Sequence, residues 1–256
     1  MLQVEDLSIA YDGANVVKGV SFAIAKSDSV ALLGPNGAGK TSIARAIAGL
    51  VPFSGEISIN QGTTCTSLKG LPAWSIARSG IVYIPETNAV YESLSVRENL
   101  TVAFAASSVQ PAVARSLLVG IHERFPFLHQ RPGQRAGTLS GGQKKLLAIA
   151  RGLLVLRSLS ASPDPPQFQL LIVDEPSHGL SPQAMDVVRE ALSGLGVSLL
   201  LIEQMARFAL DVCARGYVLR NGRIIASGDT QAFRRDTLMQ SYLGPLAESS
   251  SSPWTN

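Results

Sequence analysis

Gly34-Pro35-Asn36-Gly37-Ala38-Gly39-Lys40-Thr41 stands between a short apolar run, Ser29 to Leu33, and a stretch of helical spacing from Gly39 to Leu50. Glycines in such a loop let successive backbone N–H groups converge on phosphate oxygens. A helix that follows turns its positive N-terminal end toward the same anion. The lysine can reach the outer phosphates of a nucleotide, and the hydroxyl after it can ligate Mg²⁺. Gly34, Pro35, Asn36, Gly37, Ala38, Gly39, Lys40, Thr41 and the adjoining Ser42 are therefore expected to cradle a nucleotide, with Lys40 and Mg²⁺ stabilising phosphate charge. A chance glycine-rich turn would need neither the strand before it nor the helix after it.

A second motif gives the loop a chemical partner. Leu170-Leu171-Ile172-Val173 has the pattern of a buried strand, and it runs directly into Asp174-Glu175. Asp174 is placed to hold Mg²⁺, directly or through water. Glu175 can orient or deprotonate a water in line with a γ-phosphate. Asp-Glu at a strand end is common in solvated turns, and only the phosphate loop elsewhere in the chain gives the pair this meaning.

Around these motifs the chain alternates strands and helices. Leu2 to Tyr11 and Val16 to Ala25 alternate apolar and polar residues on either side of Asp12-Gly13, which predicts antiparallel strands. Ser54 to Asn60 alternates in the same way. Residues 87–137 carry helical segments with Ser and Pro punctuation and no strong strand. Gln143 to Leu156 and Pro182 to Leu195 are predicted helices, and Val197 to Ile202 is an apolar strand. Arg220-Asn221-Gly222-Arg223 between two strand-like runs predicts a hairpin. Alternation of strand and helix in the second half argues for a mainly parallel sheet covered by helices. Arg157 to Gln169, with Ser-Ala-Ser-Pro-Asp-Pro-Pro, is predicted to be an exposed loop.

Composition narrows the partners. The 22 Lys and Arg against 19 Asp and Glu are scattered, with no basic stripe of the kind nucleic acid requires, so no nucleic-acid partner is expected. Cys65 and Cys213 lie in no metal or redox spacing, and two reduced thiols are expected. The first residues lack a signal peptide's basic start and apolar stretch, and no apolar run approaches the roughly 18–20 residues of a membrane helix. Any membrane role is expected to come through partners.

Leu139-Ser140-Gly141-Gly142-Gln143 precedes a predicted helix that Ser140 can cap, with two glycines giving an anion close access to the backbone. Between a phosphate loop and an Asp-Glu strand, this sequence resembles the signature of the ABC (ATP-binding cassette) ATPases. The resemblance spans roughly residues 1–244 with the motifs in the family's order. It implies an α/β P-loop NTPase fold of the ABC ATPase type, with an antiparallel β subdomain and an inserted α-helical subdomain. The single ABC ATPase domain would cover 1–244, with a nucleotide-binding core at 1–86 and 138–244, a helical subdomain at 87–137 and a flexible tail at 245–256. ATP and Mg²⁺ are the implied cofactors. Ser140, Gly141, Gly142 and Gln143 of one subunit would close on ATP held by the phosphate loop of a second in a head-to-tail dimer. Tyr11 falls where the family stacks an aromatic ring on adenine; a strand tyrosine packed in the core is the alternative. His178, in Ser177-His178-Gly179-Leu180-Ser181-Pro182, is expected to serve a loop or interface role rather than catalysis.

Two positions depart from the family's commonest pattern. Glu86 replaces a glutamine that touches Mg²⁺ or water, and still offers an oxygen to the metal region. Gln204 replaces a histidine that meets the γ-phosphate, and can still donate a hydrogen bond. With Gly179-Leu-Ser-Pro182, Glu203-Gln204 and Ser241-Tyr-Leu-Gly244, they resemble the LivF-type ATP-binding subunit of branched-chain amino acid importers. Cassettes for urea and short-chain amide import share several of these features. The subgroup implies a heterodimer with a second ABC ATPase subunit (a homodimer being the alternative), two transmembrane permeases and, indirectly, a solute-binding protein. It also implies a cytoplasmic location, peripheral on the inner face of the membrane. Permease helices are expected to dock near Glu86 to Glu92, touching Val90 and Tyr91. A DNA-repair relative would need heptads between the motifs, a ribosome-associated relative two cassettes, and a dead cassette would lack Glu175; none of these fits.

Overall fold

The computed structural model describes residues 1–61, 64–104 and 109–235. The expected tail and the Ser241–Gly244 ending lie outside them. In chain order the strands are β1 (Leu2–Tyr11), β2 (Ala14–Ile24), β3 (Ser29–Leu33), β4 (Ser54–Gln61), β5 (Thr64–Ser67), β6 (Ile81–Ile84), β7 (Leu170–Asp174), β8 (Ser198–Glu203), β9 (Arg215–Arg220) and β10 (Arg223–Asp229). The helices are α1 (Lys40–Ile47), α2 (Ala73–Arg78), α3 (Val96–Val102), α4 (Pro111–Arg124), α5 (Pro126–Gln130), α6 (Gly141–Ser160), α7 (Pro182–Leu192), α8 (Ala206–Val212) and α9 (Thr230–Arg235).

The strands make two sheets. The first, in the order β2-β1-β4-β5, is antiparallel throughout. Its inward residues on β1 are Leu2 and Val4, then Leu7 and Ile9. The change of parity comes from a register shift between Val4 and Leu7, where Asp6 takes φ 47. An extra residue in a strand shifts every later side chain to the other face, so this bulge keeps both apolar pairs inward.

The second sheet has the order β10-β9-β3-β8-β7-β6, parallel except for the β9–β10 hairpin. Both of its faces are covered. Val30, Leu32, Ile172, Leu200 and Ile202 face the first sheet and α1, joined by Ile76 of α2. Ala31, Leu33, Leu171, Val173 and Leu201 face α3 to α8. Burial on two sides explains why these strands are continuous apolar runs rather than alternating ones. Each fully buried Leu or Ile contributes about 1.5–3 kcal/mol over its exposed state.

Three segments differ from expectation. Residues 157–169 are not one exposed loop: α6 continues to Ser160, and Phe168 is fully buried. The serines remain helical because Ser158 Oγ donates to Val155 O at 2.8 Å and Ser160 Oγ to Leu156 O at 3.3 Å. That local bonding satisfies a hydroxyl inside a helix. α7 ends at Leu192, three residues early, where Arg124 of α4 donates to the carbonyls of Ala191 and Ser193. Val90 packs inward at 9% exposure, whereas Tyr91 beside it is 50% exposed.

Candidate active site

The phosphate loop leaves the end of β3 under tight contact from the β9–β10 hairpin. A Cβ on Gly34 would stand 2.2 Å from the carbonyl oxygen of Leu219, so only glycine fits. The hairpin turn, Asn221 (φ 51) and Gly222 (φ 77), has both residues left-handed, as a two-residue turn between twisted strands demands. Its tip touches the loop: Gly222 N donates to Ala38 O at 3.1 Å and Gly222 O accepts from Lys18 N at 2.8 Å.

Lys40 opens α1 and is 4% exposed. Its Nζ donates to Gly34 O at 2.9 Å and Pro35 O at 3.1 Å, and pairs with Glu175 Oε1 at 3.2 Å. Thr41 Oγ1 donates to Asp174 Oδ1 at 3.2 Å, and Tyr83 OH of β6 to Asp174 Oδ2 at 2.8 Å. Asp174 is 1% exposed, and burial holds its carboxyl above the usual range against those two hydrogen bonds. Burial, together with the Asp174 charge, likewise pushes the Tyr83 phenol up. A threonine hydroxyl and a buried carboxylate meeting beside a phosphate loop are a donor set of hard oxygens, which fits Mg²⁺.

Glu175 is turned into the site by its backbone. It takes φ 43, uncommon outside glycine, and its N–H donates to Ile202 O of β8 at 2.8 Å. A cavity of about 380 Å³ brings together Asn36, Gly37, Gly39, Lys40, Thr41 and Ser42 with Glu86, Glu175 and His178. Tyr11 stands at its edge, 38% exposed, with its OH 3.4 Å from Ser42 Oγ; it is not a core tyrosine.

Other expected residues lie elsewhere or bind differently. Glu86 reaches the cavity, but its carboxylate contacts His178 Nδ1 rather than Thr41 or Asp174. Glu86, Glu175 and His178 offer ligand atoms within 4.8 Å of one another, although Lys40 already pairs with Glu175. Gln204 follows β8, exposed, and is not part of the cavity wall. Ser140 caps α6 in a reciprocal box, accepting from Gln143 N at 3.3 Å while Gln143 Oε1 accepts from Ser140 N at 3.0 Å. Ser140 and Gly141 are exposed, and none of Ser140 to Gln143 lines the phosphate-loop cavity of its own chain.

Sequence reasoning missed three groups. Tyr83 holds Asp174 from the neighbouring strand. Buried Glu203 accepts from Ser177 N at 2.9 Å, Gln204 N at 3.1 Å and Met205 N at 3.2 Å, tying the loop after β7 to the start of α8. Lys145 donates to the carbonyls of Glu86 and Glu175. Tyr83, three residues before Glu86 on an apolar strand, was the one visible signal.

A family model described as ABC transporter matches residues 17–178, which is more than half of the chain. The chain belongs to the ABC transporter family. This ABC ATPase binds ATP and hydrolyses it. It is 34% identical to the high-affinity branched-chain amino acid transport ATP-binding protein BraG of Pseudomonas aeruginosa, over 95% of this chain and all of that protein. It is 30% identical to the probable branched-chain amino acid transport ATP-binding protein LivF of Archaeoglobus fulgidus, over 89% of this chain and 92% of that one. The lipopolysaccharide export ATP-binding protein LptB of Escherichia coli K12 is 32% identical, over 95% and 97%. Among solved structures, an ATP-binding subunit of an ABC transporter aligns with a TM-score of 0.74 at 31% identity, covering 92% of each chain. An ABC ATPase works with membrane permeases, and among the described residues no helix is long and apolar enough to cross a membrane itself.

Proposed function

We propose that this ABC ATPase is the motor of an importer for branched-chain amino acids, driving separate permease subunits from the inner face of the membrane. The observation that carries the hydrolytic part is the meeting of Lys40, Thr41 and Glu175 around one cavity, with Asp174 bonded to Thr41 behind it. The amino acid cargo is supported by the relationship to BraG along the whole of that protein. LptB relatives of similar identity favour a second reading, an export ATPase for a lipid-linked polysaccharide.

In this reading the phosphate loop and Lys40 hold the β and γ phosphates, and Tyr11 stacks on adenine. Thr41 and Asp174 would hold Mg²⁺, with Glu86 at the edge of the metal region; the ion neutralises phosphate charge when bound. Glu175 accepts the proton of the attacking water, and Lys40 stabilises the charge that builds on the phosphoryl oxygens. Ser140, Gly141, Gly142 and Gln143 close on the nucleotide of a second, sister cassette, which the exposure of Ser140 and Gly141 outside their own cavity favours. Residues 87–137 act as the helical subdomain of a single domain spanning 1–244. Permeases dock at Glu86 to Glu92, with exposed Tyr91, backed by Arg151 4.8 Å from its ring, as the contact and Val90 as its support. A solute-binding protein delivers the cargo outside.

Reconstitution of the chain with a sister cassette and its permeases in proteoliposomes tests the reading. ATP-dependent uptake of labelled leucine is the expected result. Movement of urea or short-chain amides instead, or of lipopolysaccharide outward, would replace the cargo and leave the motor unchanged.

A further inference from the structure

Glu175 and Glu86 sit on different loops, one after β7 and one after β6, and both loops meet a side chain from a third element. Lys145 Nζ, in the second turn of α6, donates to Glu86 O at 2.7 Å and lies 3.4 Å from Glu175 O. The geometry assigns Lys145 the role of a positioning residue for hydrolysis: its ammonium fastens the main chain of both loops to the helix that begins with the signature. The inference rests on Glu175 acting as the base.

Three observations support it. Glu175 holds φ 43, a conformation that costs a non-glycine residue energy and persists only where its surroundings impose it. Its N–H is held by Ile202 O, while its C=O receives His178 N at 3.2 Å and Lys145 Nζ. Both sides of the turned peptide are therefore gripped, and the carboxylate is left free to meet Lys40. Second, Lys145 is partly buried, and its Nζ meets one main-chain carbonyl from each of the two loops. Third, Lys144 beside it pairs with Glu92, so adjacent lysines take different tasks: one meets a carboxylate, the other two main-chain carbonyls.

The functional reason is distance. A base must sit within hydrogen-bond reach of its water, and a shift of about 1 Å at a catalytic group can cost on the order of 100-fold in rate. Lys145 also couples the first turns of α6 to the loop that begins at Glu86. Movement of the signature helix then carries both carboxylate loops with it.

The test compares Lys145→Met, Lys145→Arg and Glu175→Gln in the full-length chain by steady-state ATPase kinetics. With Lys145→Met the inference expects kcat to fall at least about tenfold with KM for ATP within about twofold, because the nucleotide's own contacts remain. Lys145→Arg, which keeps a donor cation, should recover most of kcat. An unchanged kcat in Lys145→Met overturns the inference, as does a loss that Arg fails to rescue or one matched by an equal rise in KM. If Lys145→Met does not fold, Lys145→Leu, which likewise has no donor, takes its place under the same criteria. Hydrolysis persisting in Glu175→Gln would overturn the assignment of the base and this inference with it. Loss in Glu175→Gln beside full activity in Lys145→Met would overturn the role of Lys145 alone.

Discussion

Lys40 and Glu175 form an ion pair inside the protein: Nζ lies 3.2 Å from Oε1, and the two side chains are 3% and 12% exposed. Under the proposed function, the cation that binds phosphate is thus shared with the carboxylate that activates water. ATP must compete with Glu175 for Lys40. Glu175→Gln is expected to lower kcat by about 10²–10⁴, the usual contribution of a general base. It is also expected to tighten ATP binding, since the amide no longer competes for the ammonium. Steady-state hydrolysis and titration with a fluorescent ATP analogue read the two effects separately.

Tyr83→Phe removes the donor to Asp174 Oδ2 without changing the shape of β6. A buried carboxylate oxygen that loses a hydrogen bond costs about 1–3 kcal/mol. The unfolding free energy should fall by that amount, read as a lower denaturant midpoint with an unchanged slope.

Glu203 gives a pH signature. Burial is the largest influence and raises its folded-state pKa, against the hydrogen bonds it accepts. A carboxyl whose folded pKa is raised takes up a proton in the folded protein before the unfolded chain does. Its contribution to stability is therefore present at acid pH and lost as pH rises through the folded value. Between neutrality and the ordinary carboxylate range, wild type gains this term on acidification and Glu203→Gln does not. The Tm difference, wild type minus variant, should grow as pH is lowered from 8 to 5 in a calorimetric series.

His178→Ala breaks the contact with Glu86 at a site where both partners see solvent, 65% and 35% exposed. Exposed pairs contribute about 0–1 kcal/mol. A small change in Tm and a KM for ATP within about twofold are expected, read by thermal melts and ATPase assays. A larger loss of kcat would mean that the imidazole acts on Glu175, 3.9 Å away.

How much of this was visible in the sequence depended on distance along the chain. The phosphate loop, the Asp174-Glu175 strand end, the signature and the 220–223 turn are each contiguous, and each was found where it lies. Short elements escaped. β5 has four residues and α2 six, too few for periodicity to register. The serines after Leu156 have the composition of a loop, which does not reveal that their hydroxyls return to helical carbonyls. The contacts of Lys145 and Tyr83 are hidden for another reason: their partners stand 30 to 91 residues away, and no local pattern announces such a contact.

The strand that carries the phosphate loop has a further consequence for synthesis. β3, residues 29–33, lies between β8 and β9, which begin at residues 198 and 215, and Gly34 is walled in by Leu219. The loop motif therefore leaves the ribosome long before any of its structural neighbours exist. Closing contacts across so many residues is slow and entropically costly. A nascent chain stopped before residue 198 would hold the complete motif beside none of the strands that flank it. The ability to take ATP thus comes late in translation, near the end of the described fold.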